Sequence, residues 1–257
     1  MRIYQRPFEA IKETERELFE MGIEAHPHTM QDKDVKDDPS YCTKEVRGYS
    51  FVIANWAWDE GEVDKVLQYF WPKEVDKIRA YIKQEFVDRI SLPTNPGNSY
   101  THRPELWDEY LHEGKFAYTY SERIAPQLAT IVGELINNPE TRQAIVTIHS
   151  NICPLDCWPE KTETNVVNRS MDLDNIGGGA RVPCSMYYQV MIREGSVDLI
   201  YTMRSCDFLS HFPIDVLLAL RLQNWLATYL IKDIGRFTYF VGSLHAYKKD
   251  MVIRGIF

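Results

Sequence analysis

Hydrophobic and polar residues follow two different periods along this chain, and the places where one gives way to the other mark its elements. Phe8, Ile11, Leu18 and Phe19 fall between charged residues at helical spacing, which predicts an amphipathic helix over 7–21. Residues 24–44 are polar and rich in Pro and Asp, and read as a loop. Val46 to Ala54 reads as a strand, and 62–71 and 74–88 return to the helical period. Trp71-Pro72 divides those two helices, because proline offers no N–H to a continuing helix. Pro93, Pro96, Gly97 and Pro104 make 91–105 a loop. A further amphipathic helix runs from Ser121 to Ile136, with Ser121 as its cap and Glu122 in its first turn.

In the second half, Ala144 to His149 is a short strand-like run, followed by an irregular segment, 150–183, that contains Gly177-Gly178-Gly179. Strands over 186–193 and 197–203 are joined around Glu194-Gly195-Ser196, a hairpin signal. Pro213 to Ile231 is a long apolar helix with proline at its start, and 236–241 is a last strand. Strands and helices mixed without a regular strand–helix–strand repeat predict an α+β fold. No linker, repeat or low-complexity run interrupts the chain, so one domain spanning 1–257 is expected, with 1–44 as an N-terminal extension of helix and loop.

The chain has 257 residues, 44% of them hydrophobic, enough to bury a sizeable core. A net charge of -8 argues against binding nucleic acid non-specifically, while leaving room for a local arginine pocket. No stretch approaches the roughly 18 uninterrupted apolar residues of a membrane helix. The opening Met1-Arg2-Ile3-Tyr4-Gln5-Arg6-Pro7-Phe8 lacks the apolar core of a signal peptide. A cytoplasmic protein is expected, in a host's cytoplasm if it is phage-encoded. Five cysteines show no disulfide framework, and Cys153 and Cys157 have no second Cys or His pair at zinc-finger spacing, so no metal is expected.

Candidate chemistry gathers after residue 180. Pro183-Cys184 offers a thiol, the side chain with the largest share of reactive anion near neutral pH. Arg204 follows twenty residues later in Arg204-Ser205-Cys206-Asp207, and its planar fork suits a phosphate. In Gly242-Ser243-Leu244-His245-Ala246-Tyr247, His245 and Tyr247 stand two apart and face one way if the backbone is extended. Upstream are Asn138-Pro139-Glu140-Thr141-Arg142-Gln143, and Glu85 twenty-two residues before Trp107-Asp108-Glu109.

In order and spacing these motifs resemble the thymidylate synthase family over roughly residues 45–250. The resemblance implies a twisted mixed sheet with flanking helices, packed back to back with its twin in a homodimer. It also implies two ligands, a pyrimidine nucleoside monophosphate and 5,10-methylenetetrahydrofolate. Cys184 would be the nucleophile, and Arg204 would hold the phosphate with Ser205 and help keep the thiolate. Arg142 would reach the partner's phosphate, with Gln143 where the family has a second arginine and Arg181 or Arg47 as possible substitutes. Glu85 would shuttle protons and order water, a task that works best with a raised pKa. Gln189, His245 and Tyr247 would serve the base and sugar, and Trp107, Tyr118 and Asp207 the folate.

Asp215 stands eight residues after Asp207, where thymidylate synthases place an Asn facing uracil. A carboxylate cannot donate to uracil O4 but can accept from the amino group of cytosine. With Val241-Gly242-Ser243-Leu244-His245 and Met203 before Arg204, this resembles the deoxycytidylate hydroxymethylase branch. Only ten residues follow Tyr247, a shorter tail than in the synthases, consistent with water rather than hydride reaching the intermediate. The expected product is a 5-hydroxymethyl cytidylate, with dCMP favoured over CMP by Ser205. A cytidylate 5-methyltransferase, an atypical thymidylate synthase and a non-catalytic nucleotide-binding regulator stay open.

Overall fold

The computed structural model describes residues 2–30, 33–54, 56–111, 113–149 and 183–256. The expectations placed on Gly177-Gly178-Gly179, on Cys153 and Cys157, and on Arg181 lie outside the described residues. The centre is a mixed sheet in the order β1 (Arg2–Tyr4), β5 (Thr43–Ile53), β9 (Asp233–Tyr247), β8 (Ser196–Asp207), β7 (Ser185–Arg193), β6 (Ile145–Thr147). β2 (Ile23–Ala25) also pairs with β5, and β3 (Thr29–Met30) pairs with β4 (Lys33–Asp34) in a separate hairpin. β8 and β9 run parallel, and the crossover that parallel neighbours require is the helix α6 (Phe212–Leu230). α1 (Pro7–Met21) does the same for β1 and β5. The remaining helices are α2 (Glu60–Phe70), α3 (Val75–Ile90), α4 (Pro104–Trp107), α5 (Tyr120–Asn137) and α7 (Lys248–Ile253). No helix among the described residues is long and apolar enough to cross a membrane.

α1 packs on β5, α6 on β8 and β9, and α5 on β6, while α3 lies against α5 and α6. The helical layer therefore covers the face carrying Tyr188, Val190, Leu199, Tyr201, Phe237 and Tyr239, all fully buried. Tyr188 stacks on Tyr201 at 4.4 Å, and the Tyr201 hydroxyl meets Ser185 Oγ at 2.6 Å, which satisfies a polar group that burial would otherwise orphan. The alternate residues face the other way. Tyr187, Thr202 and Phe240 form one cross-strand row and Ile145, Gln189, Ile200 and Thr238 the next, and all are half-buried or exposed.

The segment 24–44, expected as a loop, carries most of β2, the β3–β4 hairpin and the first residues of β5, and three further boundaries differ from the sequence expectation for a physical reason. β9 begins at Asp233 and continues through Tyr247, past the expected 236–241, so the Gly242–Tyr247 string lies on extended backbone. It stays paired with β5 and β8 there, and Gly242 is required by close approach, since a Cβ would lie 2.7 Å from the Arg204 carbonyl oxygen. β8 likewise extends past 203 to Asp207. The cap of α5 is Thr119, not Ser121: Thr119 and Glu122 exchange reciprocal bonds with each other's backbone N–H, while the Ser121 hydroxyl donates to Leu92 O.

Candidate active site

The C-terminal ends of β8 and β9, the head of β7, and the facing sides of α3, α5 and α6 enclose a cavity of about 960 Å³. All of the site residues expected from the sequence line it, except Arg142 and Gln189. Cys184 stands just before β7, where the Arg204 N–H donates to its carbonyl at 2.8 Å. Arg204 Nε donates to Pro183 O at 2.9 Å and Nη1 to Ser205 Oγ at 3.0 Å, and that hydroxyl lies 3.7 Å from Cys184 Sγ. The hairpin register between β7 and β8 thus holds guanidinium, hydroxyl and thiol in one corner.

The opposite wall carries three charged side chains. Glu85 Oε1 accepts from Arg89 Nε at 2.7 Å and Glu85 Oε2 from Ser99 Oγ at 2.6 Å. Arg89 Nη2 lies 3.9 Å from Asp215 Oδ1, and the Cys206 thiol lies 3.8 Å from Asp215 Oδ2. Asp215 does not cap α6: the helix starts at Phe212 without a side-chain cap, and the Asp215 N–H is already bonded to His211 O. Its carboxyl faces the cavity instead. Burial pushes that carboxyl up to about 6, with Arg89 opposing the rise and Glu85 adding to it. Arg89 was not singled out in the sequence. The available signal was its place four residues after Glu85, which puts both on one helical face.

At the far end, β9 sets His245 beside Glu45 of β5 and Asp207 of β8. The His245 and Tyr247 rings meet edge-on at 5.2 Å, and the Ser243 hydroxyl donates to Glu45 and lies 3.4 Å from His245 Nδ1. Burial holds the imidazole below its usual value, so near pH 7 it is a neutral hydrogen-bonding ring, suited to a hydroxyl. Asp207 borders the cavity and also accepts from Leu209 N–H at 3.1 Å, so it caps the following turn as well. Trp107 lies 6.5 Å from Phe116 and 5.8 Å from His211, with Tyr118 and Tyr110 on the same wall. Broad aromatic faces beside a carboxylate suit a flat heterocycle with N–H donors, which a pterin is.

Gln189 does not line this cavity. The two-residue period of β7 turns it to the face away from the helices, where its Nε2 donates to Arg142 O at 2.9 Å. Arg142 therefore sits at that face too, outside its own chain's cavity. Arg47 is exposed on β5 opposite Ser243 and does not line the cavity; Lys249, not anticipated, does. Among the described residues one exposed rim cluster has metal-ligating side chains: Cys42 Sγ is 2.9 Å from His26 Nδ1, and His26 Nε2 is 3.1 Å from Glu24.

Comparison with known proteins places this architecture. The family model for thymidylate synthase matches residues 44–253. Thermostable thymidylate synthase A from Bacillus subtilis is similar in structure with a TM-score of 0.61 at 16% identity, covering 96% of this chain and 82% of that one. The thymidylate synthase from T4 phage gives a TM-score of 0.61 at 18% identity, covering 95% and 78%. The chain belongs to the thymidylate synthase family, whose members transfer a one-carbon unit from 5,10-methylenetetrahydrofolate to a pyrimidine nucleotide.

Proposed function

We propose that the protein converts a cytidine monophosphate, dCMP in preference to CMP, to its 5-hydroxymethyl derivative. The observation that carries this reading is Asp215, whose carboxyl faces the cavity between Arg89 and Cys206. A protonated Asp215 can donate to cytosine N3 and accept from the N4 amino group at once, and its ionised form still accepts from N4–H; against uracil the ionised form meets the O4 acceptor with lone pair against lone pair. Arg204 and Ser205 would hold the phosphate, joined by Arg142 from a partner chain, and His245 and Tyr247 the sugar hydroxyl. The sheet face around Gln189 and Phe240, on which no helix of the described residues packs, supports a homodimer built through the sheet, because it would bring Arg142 to that interface.

Chemistry starts with the Cys184 thiolate. As sulfur bonds to C6, the C5=C6 electron pair moves to C4–C5, and the C4=N3 pair becomes a lone pair on N3 that takes the proton of Asp215. C5 is then an enamine carbon. Trp107, Tyr118 and Asp207 would hold the folate, which would supply the one-carbon unit at the oxidation level of formaldehyde. C5 bonds to that carbon; the C5 proton is then lost and the carbon's bond to nitrogen breaks, which releases tetrahydrofolate and leaves an exocyclic methylene on the base. A water ordered by Glu85 adds to it, N3 returns its proton to Asp215, and Cys184 leaves.

The test is incubation with dCMP, CMP and dUMP in turn, each with methylenetetrahydrofolate, and mass spectrometry of the products. A CH2O gain on a cytosine nucleotide is expected, greater for dCMP. A CH2 gain, or turnover of dUMP alone, would overturn the reading.

A further inference from the structure

We infer that Arg89 is a positioning residue for this reaction: held between the carboxyls of Glu85 and Asp215, it commits Glu85 to an ion pair and leaves Asp215 as the carboxyl that lends the base a proton and takes it back within each turnover. This rests on the cytosine reading above.

The geometry is that of a bridge. One edge of the guanidinium is bonded to Glu85 at 2.7 Å and Nη2 faces Asp215 at 3.9 Å. Its plane lies 4.4 Å from the Tyr120 ring centre. The guanidinium is buried and also neighbours the Tyr188 hydroxyl. An ion pair buried only for stability is a poor device, since well-packed apolar residues of similar volume do as well. A bridging charge that adjusts two carboxyls accounts for its place between them.

The groups facing Asp215 identify what sets its proton affinity. They are Tyr81, Glu85 and Arg89 from α3, Tyr120 from α5, Tyr188 from β7, Tyr201 and Cys206 from β8, and Tyr239 from β9. Burial pushes the tyrosines and Cys206 up, so they are neutral near pH 7, and the charges acting on Asp215 from this set are Arg89 and Glu85. Burial strengthens Asp215's hold on its proton. Arg89 offsets that, keeping the carboxyl near 6, where a proton can be both given and recovered at neutral pH. Because the raised carboxyl pairs with neutral cytosine in its protonated form, dCMP affinity should be full below about 6 and fall as pH rises through that value.

The experiment measures dCMP binding by calorimetry from acid to alkaline pH on the full-length protein, with steady-state turnover alongside. Arg89→Gln should move the falling limb up by about one pH unit or more, because an opposite charge at this range lowers a carboxyl by about 1–3 units. Its kcat should drop at least about tenfold while dCMP affinity on the alkaline side is retained. Arg89→Lys should bring the limb back to within about half a unit of wild type and recover part of kcat. Glu85→Gln leaves Arg89 an acceptor but removes the competing charge, and its limb should move down in binding alone. An Arg89→Gln limb that stays put, with affinity lost equally at every pH, would show a structural role only. Should that variant not fold, an unmoved limb in Glu85→Gln decides against the inference. Wild-type protein that binds and turns over dUMP in preference to dCMP would sink the cytosine reading and this one together; preference for cytosine with unmoved limbs sinks this one alone.

Discussion

Replacing Asp215 by Asn changes one buried atom pair, and the structure sets the size of the effect. The Asp215 side chain is 14% exposed, so groups paired with it compete little with water. Bound uracil would face the carboxyl with acceptor against acceptor at O4, a conflict that costs about 1–3 kcal/mol, and the amide relieves it by donating there. That is about 5- to 150-fold in favour of dUMP. Cytosine loses in a different way: an amide can hydrogen-bond N3 but cannot lend it a proton as Cys184 adds, and a lost proton transfer lowers turnover by about 10²–10⁴-fold. The two changes act on different substrates, so the ratio of kcat/KM for dCMP over dUMP should fall by at least about 10²-fold. Arg89 keeps its 2.7 Å bond to Glu85, so the fold should survive the exchange. Competition between the two nucleotides, with products weighed by mass spectrometry, reads the ratio directly. A ratio that moves less than about threefold, well under 1 kcal/mol, would mean Asp215 neither reads nor protonates the base.

Cys184→Ala should abolish turnover and exchange of the C5 hydrogen, yet shift nucleotide affinity by no more than about 0.5 kcal/mol; residual exchange would assign the nucleophile elsewhere. Cys184→Ala and Arg142→Ala subunits, each inactive or weak as homodimers, should regain activity when mixed and refolded, because one site of the hybrid keeps both residues. Absence of complementation would place Arg142 outside the partner's site. Gly242→Ala forces a Cβ to within 2.7 Å of the Arg204 carbonyl, so β8 and β9 must part. A loss of about 1–3 kcal/mol in chemical denaturation, with a raised KM for nucleotide, is expected, and unchanged values would show that the strands tolerate the side chain.

Much of the fold was legible because its elements have strong periods of their own. The helix over Pro7–Met21 and the hairpin around Glu194-Gly195 follow from local pattern, the latter because both residues adopt positive φ. The strand ends were not legible. The pattern stops the last strand at 241, and pairing with β5 and β8 carries it on through Gly242 and Ser243. Thr119 displaced Ser121 as a cap because the Ser121 hydroxyl is taken by the loop it packs against.

The sequence by itself determined which chemical groups the chain carries: a thiol, an arginine twenty residues after it, a His–Tyr pair two residues apart and an Asp eight residues after Asp207 are matters of residue type and spacing. Only the tertiary structure decided which of them meet. It turned Gln189 away from the cavity, since a strand's alternate residues face opposite sides, and set it against Arg142. It also brought Arg89 and Glu85 from α3 against Asp215 from α6. Proton affinity depends on burial and on charges a few ångströms away, quantities that sequence distance does not encode, so Asp215 could be named from the sequence but its poise near neutrality could not.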